Sequence, residues 1–507
     1  MIGYGKGVAF KGASIVNEAL KAFRVSRGSA DRDAAVDGEE LAVRSRNLVQ
    51  NNTFSSALVS SVDVNVIGKG IHARPVPNAK LLGIPEERAN EFREKVQGLF
   101  DLWADNKSCD DEYRNDFYQL QNLGLKTQLI TGNLFALPRN DFSNPFGLKV
   151  KLLEGDRCRN PWNVRDTDRL AMGIETDGHR AIAYYFTKKP PFGIDDYCAG
   201  FYDTVRISMF DALQNQAVVH TMVSDRTDQR RGIPYLAPII SQLKQQERYE
   251  DAELLAAVVS AMFTVFITSN DTSSQVNFGG NIAPQQKVSN APNTVELGPG
   301  MINTLANGEK IEIADPKRPN VNYEPFVNSI FKEAAASRGL SAEVVLRQFN
   351  SSYNAVRAAI LESRKTYDKL RYDFVADFCQ PIFEKFLTTC IATGVIEAPG
   401  YFDDPIKRML WNSCAWIGDS HFMLDPTKET EAIIKQLDNQ LIDRDTACQM
   451  ITGMEYSVIA EKIAAARKIQ AKFDLPEPGT VNKTESVSVQ KEDGATETST
   501  SSGTDEN

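Results

Sequence analysis

The sequence predicts a mixed α/β, predominantly helical protein divided into several regions, and three observations carry that expectation. After Pro238 no proline or glycine recurs until Gly279, while Ile239, Leu243, Tyr249, Leu254, Leu255, Val258 and Val259 return at roughly helical spacing. Lys244, Glu247, Arg248, Glu250, Asp251 and Glu253 fill much of the rest. The pattern predicts a helix over 238–260, a strut roughly 33 Å long. A second periodic run extends from Tyr353 to Ile391, its apolar face traced by Val356, Ile360, Tyr367, Leu370, Phe374, Phe378, Ile382, Phe386 and Cys390, with a kink expected at Pro381. Between them in character, residues 135–224 alternate with a period of two and read as a β-rich region. At 507 residues the chain exceeds what one core can organise.

Taken in order, residues 1–38 are interrupted by glycine and charge and read as a loosely held arm, with one short helical stretch at Ala19–Phe23. Glu39–Gln50 reads as a helix, and Phe54–Val66 as a second one stopped by Gly68 and Gly70. Pro85 suits the first position of a third helix reaching Trp103, with Glu86 and Glu87 favouring its dipole. Tyr113–Leu123 and Gln128–Thr131 continue the helical layer to residue 134. LFALPRNDF and FGLKVKLLEGDRC then alternate as strands, and Asp177-Gly178 marks a hairpin. Thr204–Phe210 and Ala217–Met222 are further strands.

Beyond the strut, Ala261–Thr268 turns strand-like, and a long Asn-, Gly-, Pro- and Ser-rich stretch follows. Met301–Leu305 and Lys310–Ala314 are strand candidates joined at Asn307-Gly308. Phe326–Ser337 is a helix ended by Gly339, and Ser341, Glu343 and Val344 begin a short one. Gly394 closes the long run, and Ile406–Ala415 forms a shorter element. Pro426–Gln440, Asp443–Met450 and Tyr456–Phe473 are three more helices. Residues 476–507 hold almost nothing apolar and read as a disordered acidic tail.

Composition and motifs exclude several functions. A net charge of −10 disfavours a protein that coats nucleic acid, though not one that lets DNA slide past. Seven widely spaced cysteines without a CxxC suit reduced thiols in a cytoplasm. The opening MIGYGKGVAFKG lacks the apolar core of a signal peptide, and no run of 18 apolar residues predicts a membrane span. There is no GxxxxGK[ST], no HExxH and no GxSxG; Gly3–Gly7 is a glycine cluster without a preceding strand. His72, His179, His220 and His421 are scattered. Glu154, Asp156 and Glu175 read as solvated strand ends rather than a carboxylate pair. No catalytic, cofactor-binding or metal-binding residue is expected.

Two basic groups stand out. Arg157, Arg159, Arg165, Arg169 and Arg180 face a choice between ordinary pairing with Asp156, Asp166, Asp168 and Asp177 and a contact with another subunit or nucleic acid. Arg226, Arg230 and Arg231, ahead of the strut, read as a solvated loop or a partner contact.

Six collinear blocks carry a resemblance. Arg231, Gly232, Ile233, Pro234, Leu236, Ala237 and Pro238, followed by Tyr249, Asp251, Ala252 and Glu253, resemble the signature of the lambda-like family of phage portal proteins. Residues 44–71, GIETDGHRAIAYYF, PGMINTLANGEKIEIADPKRP, residues 350–364 and residues 425–453 resemble further blocks of that family. In residues 350–364, Tyr353, Arg357 and Arg364 keep their places, but Asn354 and Ala355 replace the family's two serines.

The resemblance implies a portal-protein fold with wing, stem, clip and crown, assembled as a ring usually of twelve subunits at one capsid vertex of the virion. The ring would assemble in the host cytoplasm. It would pass double-stranded DNA inward and outward without reading its sequence. It would dock the terminase large subunit, then head-completion or adaptor proteins, and contact the major capsid and scaffold proteins. Carried over, 39–134 is a helical wing part, 135–224 a β-rich wing domain, and 225–260 the first stem helix. Residues 261–322 are the clip, 323–339 the second stem helix, and 340–352 the tunnel loop. The long wing helix and its following segment occupy 353–424, and crown helices 425–475. The competing expectations are another virion component, such as a baseplate or shell protein, or a head-associated nuclease or protease. The second of these needs a compact catalytic cluster that the sequence does not offer.

Overall fold

The structure is a computed structural model that describes residues 28–142, 145–191, 203–262, 266–269, 309–312, 322–419, 426–452 and 456–472, with isolated positions 18 and 22. The expected helix at Ala19–Phe23, the Gly3–Gly7 cluster, His421, Cys198, the strand at Met301–Leu305, most of the 261–322 insert and the 476–507 tail lie outside the described residues. Two compact units emerge, one within residues 1–419 and one within 420–507.

The first unit opens with α1 (Ala30–Asn51) and α2 (Thr53–Val66). Helix α1 starts nine residues before the expected Glu39, which corrects the reading of 1–38 as an arm up to its last residues. Ser29 accepts the amide of Arg32, and Asp31 and Asp33 sit in the first turn, so the start is capped despite Gly38 inside the helix. Next come β1 (His72–Pro75), α3 (Ala79–Leu82), α4 (Glu86–Ala104) and α5 (Phe117–Thr131). Pro85 is the cap residue of α4 rather than its first turn. Tyr113 has a φ of 56° and lies outside α5, contrary to the sequence reading. The helix begins where Asp116 and Gln119 form a reciprocal capping box.

Strands β2 (Asn133–Asn140), β3 (Leu148–Glu154), β4 (Leu170–Ala171), β5 (Ile174–Thr176), β6 (Ala181–Thr187), β7 (Thr204–Ser208) and β8 (Val219–Met222) follow. They form two antiparallel sheets, ordered β3-β2-β8 and β4-β5-β6-β7. Pro138 is tolerated in β2 because β8 pairs only as far as Ala136, leaving Pro138 at an open edge. Alternation divides the first sheet between two cores. Leu134, Ala136, Leu148 and Val150 join the main helical core, whereas Phe135, Leu137 and Leu153 pack with Ile174, Tyr184 and Phe186 of the second sheet.

Helix α6 (Ile240–Met262) follows a 3₁₀ turn at Ala237–Ile239. Strand β9 (Phe266–Ser269) pairs antiparallel with β10 (Glu309–Glu312), so the described partner of the expected 310–314 strand is the segment just after the strut. Helices α7 (Tyr323–Ala336) and α8 (Ala342–Leu346) precede the long run. That run is α9 (Tyr353–Phe374), a π-helical segment at Val375–Cys379 and α10 (Gln380–Ala392). Pro381 has no N–H for the carbonyl four residues back, and the chain widens by one residue just before it. Phe374, Phe378, Ile382, Phe386 and Cys390 are buried as expected. They meet Phe100, Trp103 and Phe117 in an aromatic cluster with centroid separations of 5.2 Å (Phe100–Phe386) and 5.1 Å (Trp103–Phe117). Each such side chain contributes roughly 1.5–3 kcal/mol of burial.

Helix α11 (Pro405–Trp411) ends earlier than the expected Ile406–Ala415 element, and β11 (Cys414–Ile417) replaces its tail. Trp416 belongs to that strand, which pairs with β1 more than 300 residues away. The second unit holds α12 (Pro426–Asp438), α13 (Arg444–Thr452) and α14 (Tyr456–Lys472).

Candidate functional site

The strut is anchored by a knot of polar contacts built from the segment just before it. Gly132 ends α5 at φ 82°, and its carbonyl presses against Gly232, where any Cβ would overlap the Gly132 oxygen. Asn133 then treats Gly232 as a second backbone, accepting its N–H at 2.8 Å and donating to its carbonyl at 3.0 Å. The Asn133 Oδ1 also takes the Arg231 Nε at 3.1 Å and lies 3.2 Å from His220 Nε2. Arg231 spends its guanidinium on three carbonyls, those of Gly155 (2.8 Å), Cys158 (3.0 Å) and Met172 (3.2 Å), and lies over the Phe135 ring. His220 stacks on that same Phe135 ring at 4.2 Å. Burial, with the Arg231 cation beside it, pushes the His220 imidazole well below its usual range and keeps it neutral.

The other two arginines of the segment pair with the start of α1, Arg230 half-buried and Arg226 exposed. Arg230 pairs with Asp31 at 2.9 Å and donates to the Asp168 carbonyl. Arg226 pairs with Asp33 at 2.7 Å. Arg230 and Arg231 therefore brace the start of α1 and the second sheet against the foot of α6, whereas Arg226 remains in an exposed stretch of the loop. Tyr235 completes the anchor. Its hydroxyl donates to the Arg338 carbonyl just past α7, and the Arg338 guanidinium covers its ring.

Above that foot, α6 and α7 run antiparallel. Tyr235 meets Arg338 at one end, and Tyr249 stacks on Tyr323 at 5.8 Å and meets the edge of Phe326 at 5.2 Å at the other. Leu243 and the polar Gln246 are buried on the inner side of α6. Leu254, Leu255 and Val258, expected on the same apolar face as Leu243, are instead exposed, Leu254 by 68%. The strut therefore carries a second apolar patch that is exposed among the described residues. Beyond α7, Arg347 closes α8 at φ 55° and leads into the 348–352 loop.

The remaining singled-out residues serve packing and pairing. Arg157 donates to the Thr187 and Lys188 carbonyls, Arg159 pairs with Glu39 at 2.6 Å, and Arg180 pairs with Asp177. Asp156 and Glu154 share Arg46, at 2.9 and 3.7 Å, while Glu175 is held apart by Arg206, whose contact draws its carboxyl below the usual range. His72 bonds Tyr118, and burial pushes its imidazole down. Among the described residues no three His, Cys, Asp or Glu side chains are placed to hold a metal ion, and no helix is long and apolar enough to cross a membrane. Asn133 and Gln246, on which the anchor and the inner strut face depend, were not singled out from sequence; only the Asn following Gly132 at a helix end could have drawn notice.

The model of the phage portal protein, lambda family, matches residues 17–371, a span that includes the knot, α6, α7 and the start of the long helix. The chain belongs to the lambda family of phage portal proteins. Portal protein B of Escherichia phage lambda is 24% identical over 80% of this chain and 79% of its own length. The portal protein of Escherichia phage N15 is 24% identical over 84% of each. A chain in the neck of an empty gene transfer agent particle is 13% identical, covers 86% of this chain and 99% of that one, and has a TM-score of 0.47. As a portal protein the chain is a structural, non-enzymatic component of the virion at the capsid's portal vertex.

Proposed function

We propose that this portal protein closes into a ring, of about twelve copies as in a cyclic heterologous assembly, whose central channel passes double-stranded DNA into the capsid and out of it. The antiparallel pair α6 and α7 forms the stem, the region 261–322 with the β9–β10 ladder at its base forms the clip, and 340–352 is the tunnel loop. The helices and sheets of 39–224 and 353–424 form the wing, and 425–475 the crown. The clip receives the terminase large subunit during packaging and the head-completion or adaptor proteins afterwards, while the wing meets the major capsid and scaffold proteins.

The exposed patch of Leu254, Leu255 and Val258 on α6 is the observation that carries the ring. It sits on the family's signature helix, past Tyr249, which already meets Tyr323 at the start of α7, so a neighbouring copy is its natural cover. The acidic net charge of −10 suits passage of DNA, because a wall that neutralises no phosphates does not grip it.

Negative-stain microscopy of the full chain tests this reading. Rings with a central hole are expected, and Leu254→Asp with Leu255→Asp should leave folded subunits that no longer assemble. A wild-type chain that stays monomeric at high concentration would sink the proposal.

A further inference from the structure

The second unit presents apolar side chains that its own three helices leave uncovered. Helix α12 packs on α13 and α13 on α14, with Arg444 reaching the Tyr456 hydroxyl at 3.3 Å. Yet Ala447 is the one apolar side chain buried among the described residues of this unit. Ile434 on α12 is 49% exposed, and Ile469 on α14 is 56% exposed. A helical unit this small lacks the buried area to hold itself together.

Charge arranges these two isoleucines as opposites. Glu431 and Asp438 lie three residues before and four after Ile434, so both flank it on the same exposed face of α12, with the exposed Lys435 adjoining. Lys472 lies three residues after Ile469 and Lys462 seven before it, with Lys468 adjoining, and all are exposed on α14. Helix α14 as a whole sets Lys462, Arg467, Lys468 and Lys472 against the single acid Glu461. An isoleucine rimmed by carboxylates on one helix therefore matches an isoleucine rimmed by ammonium groups on another.

We propose that α14 of one copy docks on α12 of the next copy, Ile469 against Ile434, so that the 426–472 helices become a consolidated layer only on assembly. The inference rests on the ring reading above. The contact uses two unlike faces of the same unit, the kind of head-to-tail contact that closes into a ring. Its occupant is a second copy of this chain, because the two complementary faces are both present on every chain.

Hydrogen exchange of the full chain, followed by mass spectrometry in assembled rings and in dilute subunits, tests the contact. Peptides from 426–472 are expected to exchange at least about tenfold more slowly in rings. Lys468→Glu with Lys472→Glu should abolish that slowing while rings still form through the first unit, and Glu431→Lys with Asp438→Lys should do the same. All four substitutions in one chain should restore it, since opposite charges then meet again. Equal protection in dilute subunits, reversal without effect, or a fourfold variant that stays unprotected would overturn the proposal. So would protection that arises only when another virion protein is added. Rings with an unprotected 426–472 would overturn this contact alone, whereas a chain that forms no ring would overturn the ring reading with it.

Discussion

Asn133 gathers three donors on one side-chain oxygen, from Arg231, Gly232 and His220, and returns its own N–H to the Gly232 carbonyl. Its side chain is buried, so none of those partners has water to fall back on. Replacing Asn133 with alanine leaves the Gly232 amide and one arginine N–H without acceptors, which should lower stability by about 2–4 kcal/mol. Urea denaturation, read by the tryptophan signal, checks it; a loss below about 0.5 kcal/mol would show that the knot rearranges at no cost. The family signature made Arg231 and Gly232 visible in the sequence, yet it could not say that they face inward. Three arginines within six residues resemble a surface loop, and the groups that absorb them, Asp31, Asp33, Asn133 and the backbone carbonyls of Gly28, Gly155, Cys158, Asp168 and Met172, lie from about 60 to about 200 positions away. A side chain's partner across such a distance leaves no periodic trace.

Elements were legible where one face alone is buried. The α9–α10 run showed its buried stripe because those aromatic residues keep the helical period up to the π segment. Strand β11 was hidden for a different reason: Cys414–Ile417 is too short to show an alternation of its own, and only the remote pairing with β1 makes it a strand. The sequence pattern suggests two helical stretches, Tyr113–Leu123 and Gln128–Thr131, on either side of Gly124. The structure keeps α5 whole and uses the missing side chain to admit a neighbour. A Cβ at 124 would stand 2.8 Å from Leu134 Cδ2, with Phe374 and Phe378 just beyond. Alanine there gains about 1 kcal/mol of helix propensity but meets a fully buried Leu134 that has nowhere to move, at about 1–3 kcal/mol. Gly124→Ala should therefore destabilise by about 1 kcal/mol net, measurable as a lowered Tm; a stabilised variant would mean the α5–β2 contact is looser than its geometry.

At the scale of the whole molecule, buried and exposed apolar surface fall in different places. The first unit closes a continuous core from α1 to β11 that leaves the leucines of α6 exposed, and within the second unit the isoleucines of α12 and α14 are exposed. This division is what a subunit of a larger assembly requires: a core that folds by itself and faces reserved for copies of itself. The insert between α6 and α7 fits the same division. Its base is tied by the β9–β10 ladder, Phe266 opposite Glu312 and Ser269 opposite Glu309, so the chain between those strands leaves and re-enters at one point. Deleting residues 270–298 keeps both strands and a connection long enough for a hairpin, and touches no residue of the first unit's core. Rings should therefore still form, with the same diameter by negative-stain microscopy, but they should fail to retain the terminase large subunit or an adaptor protein in co-sedimentation. Rings that retain both partners would move the docking surface off the insert, and loss of the rings themselves would make the insert part of the subunit interface instead.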